Sequence, residues 1–137
     1  MEQKWRKRYI GLAIEVAEFS EDDSTKVGSY IANPVTKRPV SFGYNGMPSG
    51  VIDKPERYQR PAKYFYFEHA ERNAIYNADR QLDNMAIFVT HCPCTDCTRA
   101  IIQNRISELY ILSENGIESE WAKTRYSNEQ RQAIIEM

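Results

Sequence analysis

At 137 residues and 16.0 kDa, the chain has room for one domain spanning residues 1–137 around one core, and not comfortably for two. Eighteen Lys and Arg against nineteen Asp and Glu leave a net charge of −1, which excludes a global attraction to polyanions and favours a small substrate over a nucleic-acid polymer. Three cysteines confined to positions 92–97 cannot make the spread framework of a secreted disulfide protein, so the cytoplasm is the expected compartment.

The amino end, Lys4-Trp5-Arg6-Lys7-Arg8, is basic like the start of a signal peptide, but Glu15 and Glu18 interrupt the apolar stretch that should follow. From Trp5 to Phe19, apolar side chains at Trp5, Tyr9, Leu12, Ala13, Val16 and Ala17 recur at three- and four-residue steps. That spacing predicts an amphipathic helix with one buried stripe, ended by Ser20-Glu21-Asp22-Asp23-Ser24. Val27 to Ala32 and Val40 to Tyr44 are rich in β-branched and aromatic residues around the turn chemistry of Asn33-Pro34-Val35-Thr36-Lys37, and read as an antiparallel hairpin.

Residues 45–67 hold Gly46, Pro48, Gly50, Pro55 and Pro61, which predicts a long structured loop. A helix follows from His69 to Asp79, with Ala70, Ala74 and Ala78 forming a small-residue face beside Ile75. Met85 to Thr90 is a short buried strand, Cys94 to Asn104 a helix with Ala100, Ile101 and Ile102 toward the core, and Ile106 to Leu112 another strand. Ser127-Asn128-Glu129-Gln130 fits a capping box opening a last helix through Ile135. The order α-β-β-α-β-α-β-α implies a layered α/β domain whose sheet has a mainly parallel edge.

The chemistry concentrates in His69-Ala70-Glu71 and Pro93-Cys94-Thr95-Asp96-Cys97. One imidazole and two thiols can hold a zinc ion with a fourth position left for water, and a carboxylate two residues from the imidazole can move that water's protons. Both motifs fall at predicted helix starts, whose dipoles favour thiolate sulfur. Because two helical positions differ by roughly 200° of rotation, His69 and Glu71 can serve one metal only if it lies beyond the helix start. Two duller readings compete. Cys94 and Cys97 could form a redox dithiol, or a closed structural zinc site could recruit His91 or Cys92. Pro93 should hold His91 and Cys92 extended and turned away, leaving Cys92 to line a pocket and His91 to cap its rim.

The H-x-E and P-C-x-x-C pair is the signature of zinc-dependent base deaminases. Together with Thr25-Lys26-Val27-Gly28, Gly43-Tyr44-Asn45-Gly46-Met47-Pro48-Ser49-Gly50 and the full stretch His69-Ala70-Glu71-Arg72-Asn73-Ala74-Ile75, it makes the chain resemble the deoxycytidylate (dCMP) deaminase family of the cytidine deaminase superfamily, over about residues 5–112. The resemblance implies a cytidine deaminase-like three-layer α/β/α fold with a mixed central sheet. It also implies one catalytic Zn2+ held by His69, Cys94 and Cys97, with Glu71 as the catalytic acid–base. The reaction implied is dCMP plus water giving dUMP and ammonia.

Substrate contacts are expected from the Ala70 backbone N–H, Asn45, Asn73 and Lys26. Asn45 reads equally as a turn residue and Asn73 as a solvated one. Lys26, Lys54, Arg57, Arg60 and Lys63 are the basic residues near the loops that suit phosphate. The family further implies dCTP and dTTP effectors accompanied by Mg2+, and a homo-oligomer, often a hexamer. The Tyr64-Phe65-Tyr66-Phe67 run suits a subunit contact or core packing better than a base pocket. Relatives continue past the last helix into another strand, so with the chain stopping at Met137 the sheet is smaller than theirs or terminal sequence is missing. The loop at 45–67 lacks the cysteines and histidines of a second zinc site. The alternatives are the same chemistry on another nucleoside, nucleotide, free base or nucleic-acid base, and a non-catalytic zinc-binding module.

Overall fold

In the computed structural model, which describes residues 1–112 and 116–137, the chain builds a four-stranded sheet covered by helices on both faces. Helix α1 (Gln3–Ala17) leads into strands β1 (Gly28–Ala32) and β2 (Pro39–Tyr44). A 3-10 turn at Pro55–Tyr58 and a one-turn helix α2 (Lys63–Tyr66) follow. Then come α3 (Ala70–Asn77), β3 (Ala86–Val89), α4 (Thr95–Gln103), β4 (Glu108–Ile111), α5 (Glu120–Arg125) and α6 (Asn128–Glu136). The expected order stands with two additions, α2 inside the predicted loop and α5 before the last helix.

The strands lie in the order β2-β1-β3-β4; β1 is antiparallel to both β2 and β3, and β3 runs parallel to β4. The sheet is therefore mixed, as expected. Its parallel edge is only the β3–β4 pair, because the hairpin folds β1 back between β2 and β3. The alternation of side chains along the strands then divides the core in two. Ile31, Ile87 and Val89 meet Ala74 of α3 and Ile101 of α4 on one face, while Phe88 and Ala86 meet Tyr9 of α1 on the other.

Two glycines set how closely the helices approach. A Cβ on Gly28 would collide with the Ala13 carbonyl and the Ala17 amide of α1; one on Gly43 would collide with the Ala70 carbonyl and the Ala74 amide of α3. Neither position needs an unusual backbone angle, so what each requires is space. On the α3 side the contact is reinforced by hydrogen bonds from Ser41 Oγ to Ala74 O (2.7 Å), Asn73 Nδ2 to Tyr44 O (2.8 Å) and Asn77 Nδ2 to Phe42 O (2.8 Å).

Two core assignments from the spacing differ from the structure. Leu12 is 42% exposed and Ile102 44% exposed, because α1 and α4 are covered on one face only and these residues sit at the margins of their stripes. The capping box at Ser127 and Gln130 is formed, with Gln130 N donating to Ser127 Oγ at 3.1 Å and Ser127 N to Gln130 Oε1 at 2.8 Å.

Candidate active site

His69 is not the first helical residue but the N-cap of α3, with extended backbone at φ −87°, ψ 150°. The cause lies one residue earlier, where Glu68 exchanges both backbone bonds with Gly46, at 3.1 and 2.8 Å, and holds the chain straight up to the cap. Cys94 is likewise the N-cap of α4, at φ −72°, ψ 175°, after a fully buried Pro93 that keeps the preceding residues extended. Its sulfur accepts from Cys97 N at 3.4 Å, so one of the four amides that a helix start leaves without partners is satisfied by a candidate metal ligand.

The two caps converge. His69 Nδ1 lies 3.5 Å from Cys94 Sγ and 3.4 Å from Cys97 Sγ, and the three donor atoms all fall within 4.8 Å of one another. Among the described residues, no further His, Cys, Asp or Glu joins this group. His91 Nδ1 is engaged with Thr90 Oγ1 at 2.9 Å, and the Cys92 sulfur lies 3.7 Å from Pro93 O. One nitrogen and two sulfurs are the soft and borderline donors that zinc prefers, and three of them make an open set rather than a closed structural one.

Titration follows from the same crowding. Donation from the Cys97 thiol, followed by the bond to His69, pulls the Cys94 thiol down to about 4. The Cys97 thiol is pushed up by its bond to Cys94 and by burial. The bond to Cys94 raises His69. Glu71, in the first turn of α3 and only 4% exposed, is held above the ordinary carboxylate range, chiefly by burial. Arg72 spans the two helix starts, with Nη2 2.6 Å from Glu68 Oε1 and Nη1 3.7 Å from Asp96 Oδ2.

Of these groups, His69, Glu71 and Cys94 open onto a cavity of about 290 Å³, and Cys97 lies behind them. Ala70, Glu71, His69, Cys92 and Cys94 line it from the two helix starts, and Trp121, Arg125 and Tyr126 wall it from the C-terminal segment. Tyr126 OH donates to Cys92 O at 2.7 Å, Arg125 Nη2 donates to Thr25 Oγ1 at 2.7 Å, and the Trp121 and His91 rings lie 4.8 Å apart. Burial and then the Arg125 charge hold His91 below its usual value.

The expected substrate-binding residues divide. Ala70 is fully buried in the cavity lining. Asn45 also lines it, but its side chain is committed: Oδ1 accepts from Val27 N at 2.8 Å, and Nδ2 donates to Thr25 O at 2.9 Å and to Asp22 Oδ2 at 3.4 Å. Asn73 lies outside the lining and ties α3 to β2, while exposed Lys26 sits 4.0 Å from Glu18. Of the other loop cations, Lys63 is buried against Asp22 at 2.9 Å, and Arg57 and Arg60 lie over the rings of Tyr66 and Tyr64. Phe65 and Tyr64 are 82% and 63% exposed rather than packed in the core, though Tyr64 and Phe67 reach the cavity rim. Sequence reasoning missed Trp121, Arg125 and Tyr126 as cavity residues; their only signal was an aromatic and basic cluster without strong helical spacing.

Residues 3–113 match the family described as the cytidine and deoxycytidylate deaminase zinc-binding region. An uncharacterized deaminase encoded in the luxG 3' region of Aliivibrio fischeri is 44% identical over 110 residues, covering 80% of this chain and 74% of that protein. Deoxycytidylate deaminase of Mus musculus is 36% identical over 124 residues, covering 85% and 69%. Among solved structures, the dCMP deaminase of cyanophage S-TIM5 in apo form superposes with a TM-score of 0.69 at 26% identity, covering 81% of this chain and 84% of that one. The same enzyme in complex with dCMP and dUMP gives the same score at 25% identity, covering 81% and 82%. With a family match across most of its length, and with His69, Cys94 and Cys97 gathered at the start of two helices where they could hold a metal ion, the chain belongs to the zinc-binding cytidine and deoxycytidylate deaminases.

Proposed function

We propose that this chain hydrolyses dCMP, combining it with water to give dUMP and ammonia, at the floor of the cavity. The observation that carries the reading is the meeting of His69, Cys94 and Cys97 at two helix starts, with the buried Glu71 carboxyl in the turn beside them. His69 Nδ1 and the two sulfurs are the atoms that would hold zinc. When bound, zinc supplies the Lewis acidity that makes a water molecule nucleophilic near neutral pH.

The remaining work falls to the protein's own groups. Glu71, whose proton affinity is raised by burial, takes a proton from the attacking water and carries it to N3 of the cytosine ring; it then takes the remaining proton from the hydroxyl added at the ring carbon and delivers it to the amine, which leaves as ammonia while the C–N bond breaks and the ring carbonyl forms. The Ala70 N–H, among the first-turn amides left without intrahelical partners, donates to the pyrimidine carbonyl, and the alanine side chain lets the ring approach. We assign Asn45 to shaping the cavity wall, since its amide is already bonded, and Asn73 to fixing α3 on β2. Lys26 supplies only general positive charge near the Thr25 loop.

We further infer a cytoplasmic enzyme whose residues 1–137 form one deaminase domain and which self-associates, with a hexamer as the family-based expectation. Supporting this are the clustering of all three cysteines at positions 92–97, which makes no disulfide framework, and the exposed Tyr64 and Phe65. A second cavity of about 170 Å³ beside Asn45, Gly46 and Met47 is where a dCTP or dTTP effector would enter. Its lining carries Glu21 and Asp53 and no lysine or arginine, so the effector and its accompanying Mg2+ rest on the family resemblance alone.

Metal analysis and ammonia release across dCMP, dCTP, deoxycytidine, cytidine, guanine and oligonucleotides test the reading. It expects one zinc per chain and dCMP as the preferred substrate. Preference for a free base or a polymer, or a metal-loaded protein with no turnover, overturns it.

A further inference from the structure

We infer that Arg125 is a specificity-determining residue that reads the substrate's phosphate, with Trp121 and Thr25 fixing the plane of its guanidinium. The inference rests on the nucleotide reading above and deepens it, naming what would distinguish a nucleotide from its nucleoside. Arg125 lies beyond residues 3–113, the stretch matched by the family model.

Imidazoles aside, the cavity lining offers two cationic side chains, Lys63 and Arg125. Lys63 is already neutralised: its Nζ is 2.9 Å from Asp22 Oδ2 and 2.7 Å from Ser24 Oγ, and the Lys63 and Asp22 side chains are only 7% and 5% exposed. Arg125 forms no ion pair with a carboxylate among the described residues. One of its N–H groups donates to Thr25 Oγ1 at 2.7 Å, and its Cζ lies 5.2 Å from the centre of the Trp121 ring. A guanidinium laid over an indole and tethered at one nitrogen leaves the rest of its fork without a carboxylate partner among the described residues, in a fixed plane suited to two phosphate oxygens.

Depth in the cavity gives the direction. Ala70 and Glu71, at 0% and 4% exposure, form the closed end where the amine must be placed, while Arg125 is exposed at the rim. A nucleotide seated base-first therefore points its charged end outward toward Arg125. The rim is tied to the floor as well, since the next residue, Tyr126, bonds Cys92 O two residues before the Cys94 cap.

The test compares the wild-type protein with the R125Q and R125K variants in kcat/KM for dCMP and deoxycytidine. Calorimetric binding of dUMP and deoxyuridine is measured alongside. In R125Q the dCMP-to-deoxycytidine ratio should fall about 10- to 100-fold, the size of a lost hydrogen-bonded charge contact, mainly through KM. R125K should recover part of the loss, and the preference for binding dUMP over deoxyuridine should shrink in parallel. An unchanged ratio and unchanged dUMP preference in R125Q, or equal losses on nucleotide and nucleoside, overturn the assignment. If the wild-type protein fails to turn over dCMP yet binds dUMP through Arg125, the deaminase reading falls and the phosphate assignment stands. If it turns over dCMP and R125Q keeps the ratio, the reverse holds.

Discussion

The closed end of the cavity and its rim are built in opposite ways. At the closed end, every chemical group comes from two short motifs, each placed by the start of one helix, so local sequence carries nearly all the information. At the rim, Arg125 bonds Thr25 across a separation of 100 residues and Tyr126 bonds Cys92 across 34, so position depends on tertiary packing. On the proposed reading, the closed end would fix which reaction is possible and the rim would select what is admitted. Changes at the floor should therefore act on rate, and changes around the rim on fold or on substrate preference.

The largest expected loss on that division is one of stability. Lys63→Met leaves Asp22 buried beside the cavity without its ammonium partner, and breaking such a pair costs about 3–5 kcal/mol. Urea denaturation should show this drop, with the double variant carrying Asp22→Asn regaining part of it. Equal stability of wild type and Lys63→Met would mean that the buried pair does not anchor the wall.

Next in size is a loss of rate. Glu71→Gln should keep zinc bound and lower kcat by at least ~100-fold, the usual scale of acid–base catalysis. Near-normal turnover in this variant would remove the carboxyl from its assigned role.

Gly43→Ala and Gly28→Ala sharpen the comparison further. Both force a methyl group into helix backbone and should cost about 1–3 kcal/mol. Only Gly43→Ala displaces α3, which carries Glu71 and is capped by His69. It alone should also weaken zinc retention in a chelator competition assay; equal chelator sensitivity in the two variants would break the link between α3 seating and the metal group.

The smallest effect is one of pH. Burial alone would raise Asp22, but bonds from Ser24 and Lys63 outweigh it and hold the folded-state value below the ordinary carboxylate value of ~3.9. Its contribution to stability is thus complete above that value and is lost as pH falls through the folded one. In acid denaturation, Asp22→Asn should flatten this part of the stability curve, and an unchanged slope would contradict it.

The same contrast explains what the sequence revealed. Tyr9, Ala13, Val16 and Ala17 are buried as their spacing predicts, because a repeating stripe encodes a face; Leu12 and Ile102 show that spacing does not encode the width of that face. His69, Cys94 and Cys97 were legible as candidate ligands because donor type and spacing are written in the chain, and the structure brings the three together. That His69 caps α3 instead of beginning it was not, since the Gly46–Glu68 bridge sets its backbone from a distant strand end. Asn45 shows the converse. Its place in a recognisable motif marked it as important, but its committed amide shows that it braces the Thr25 segment.

X-ray absorption at the zinc edge of the purified, substrate-free protein tests the central claim most directly. The account predicts two sulfur neighbours at about 2.3 Å, one imidazole nitrogen at about 2.0–2.1 Å and one light atom not supplied by the protein. A shell closed by a fourth protein donor, or zinc bound without both sulfurs, would contradict it.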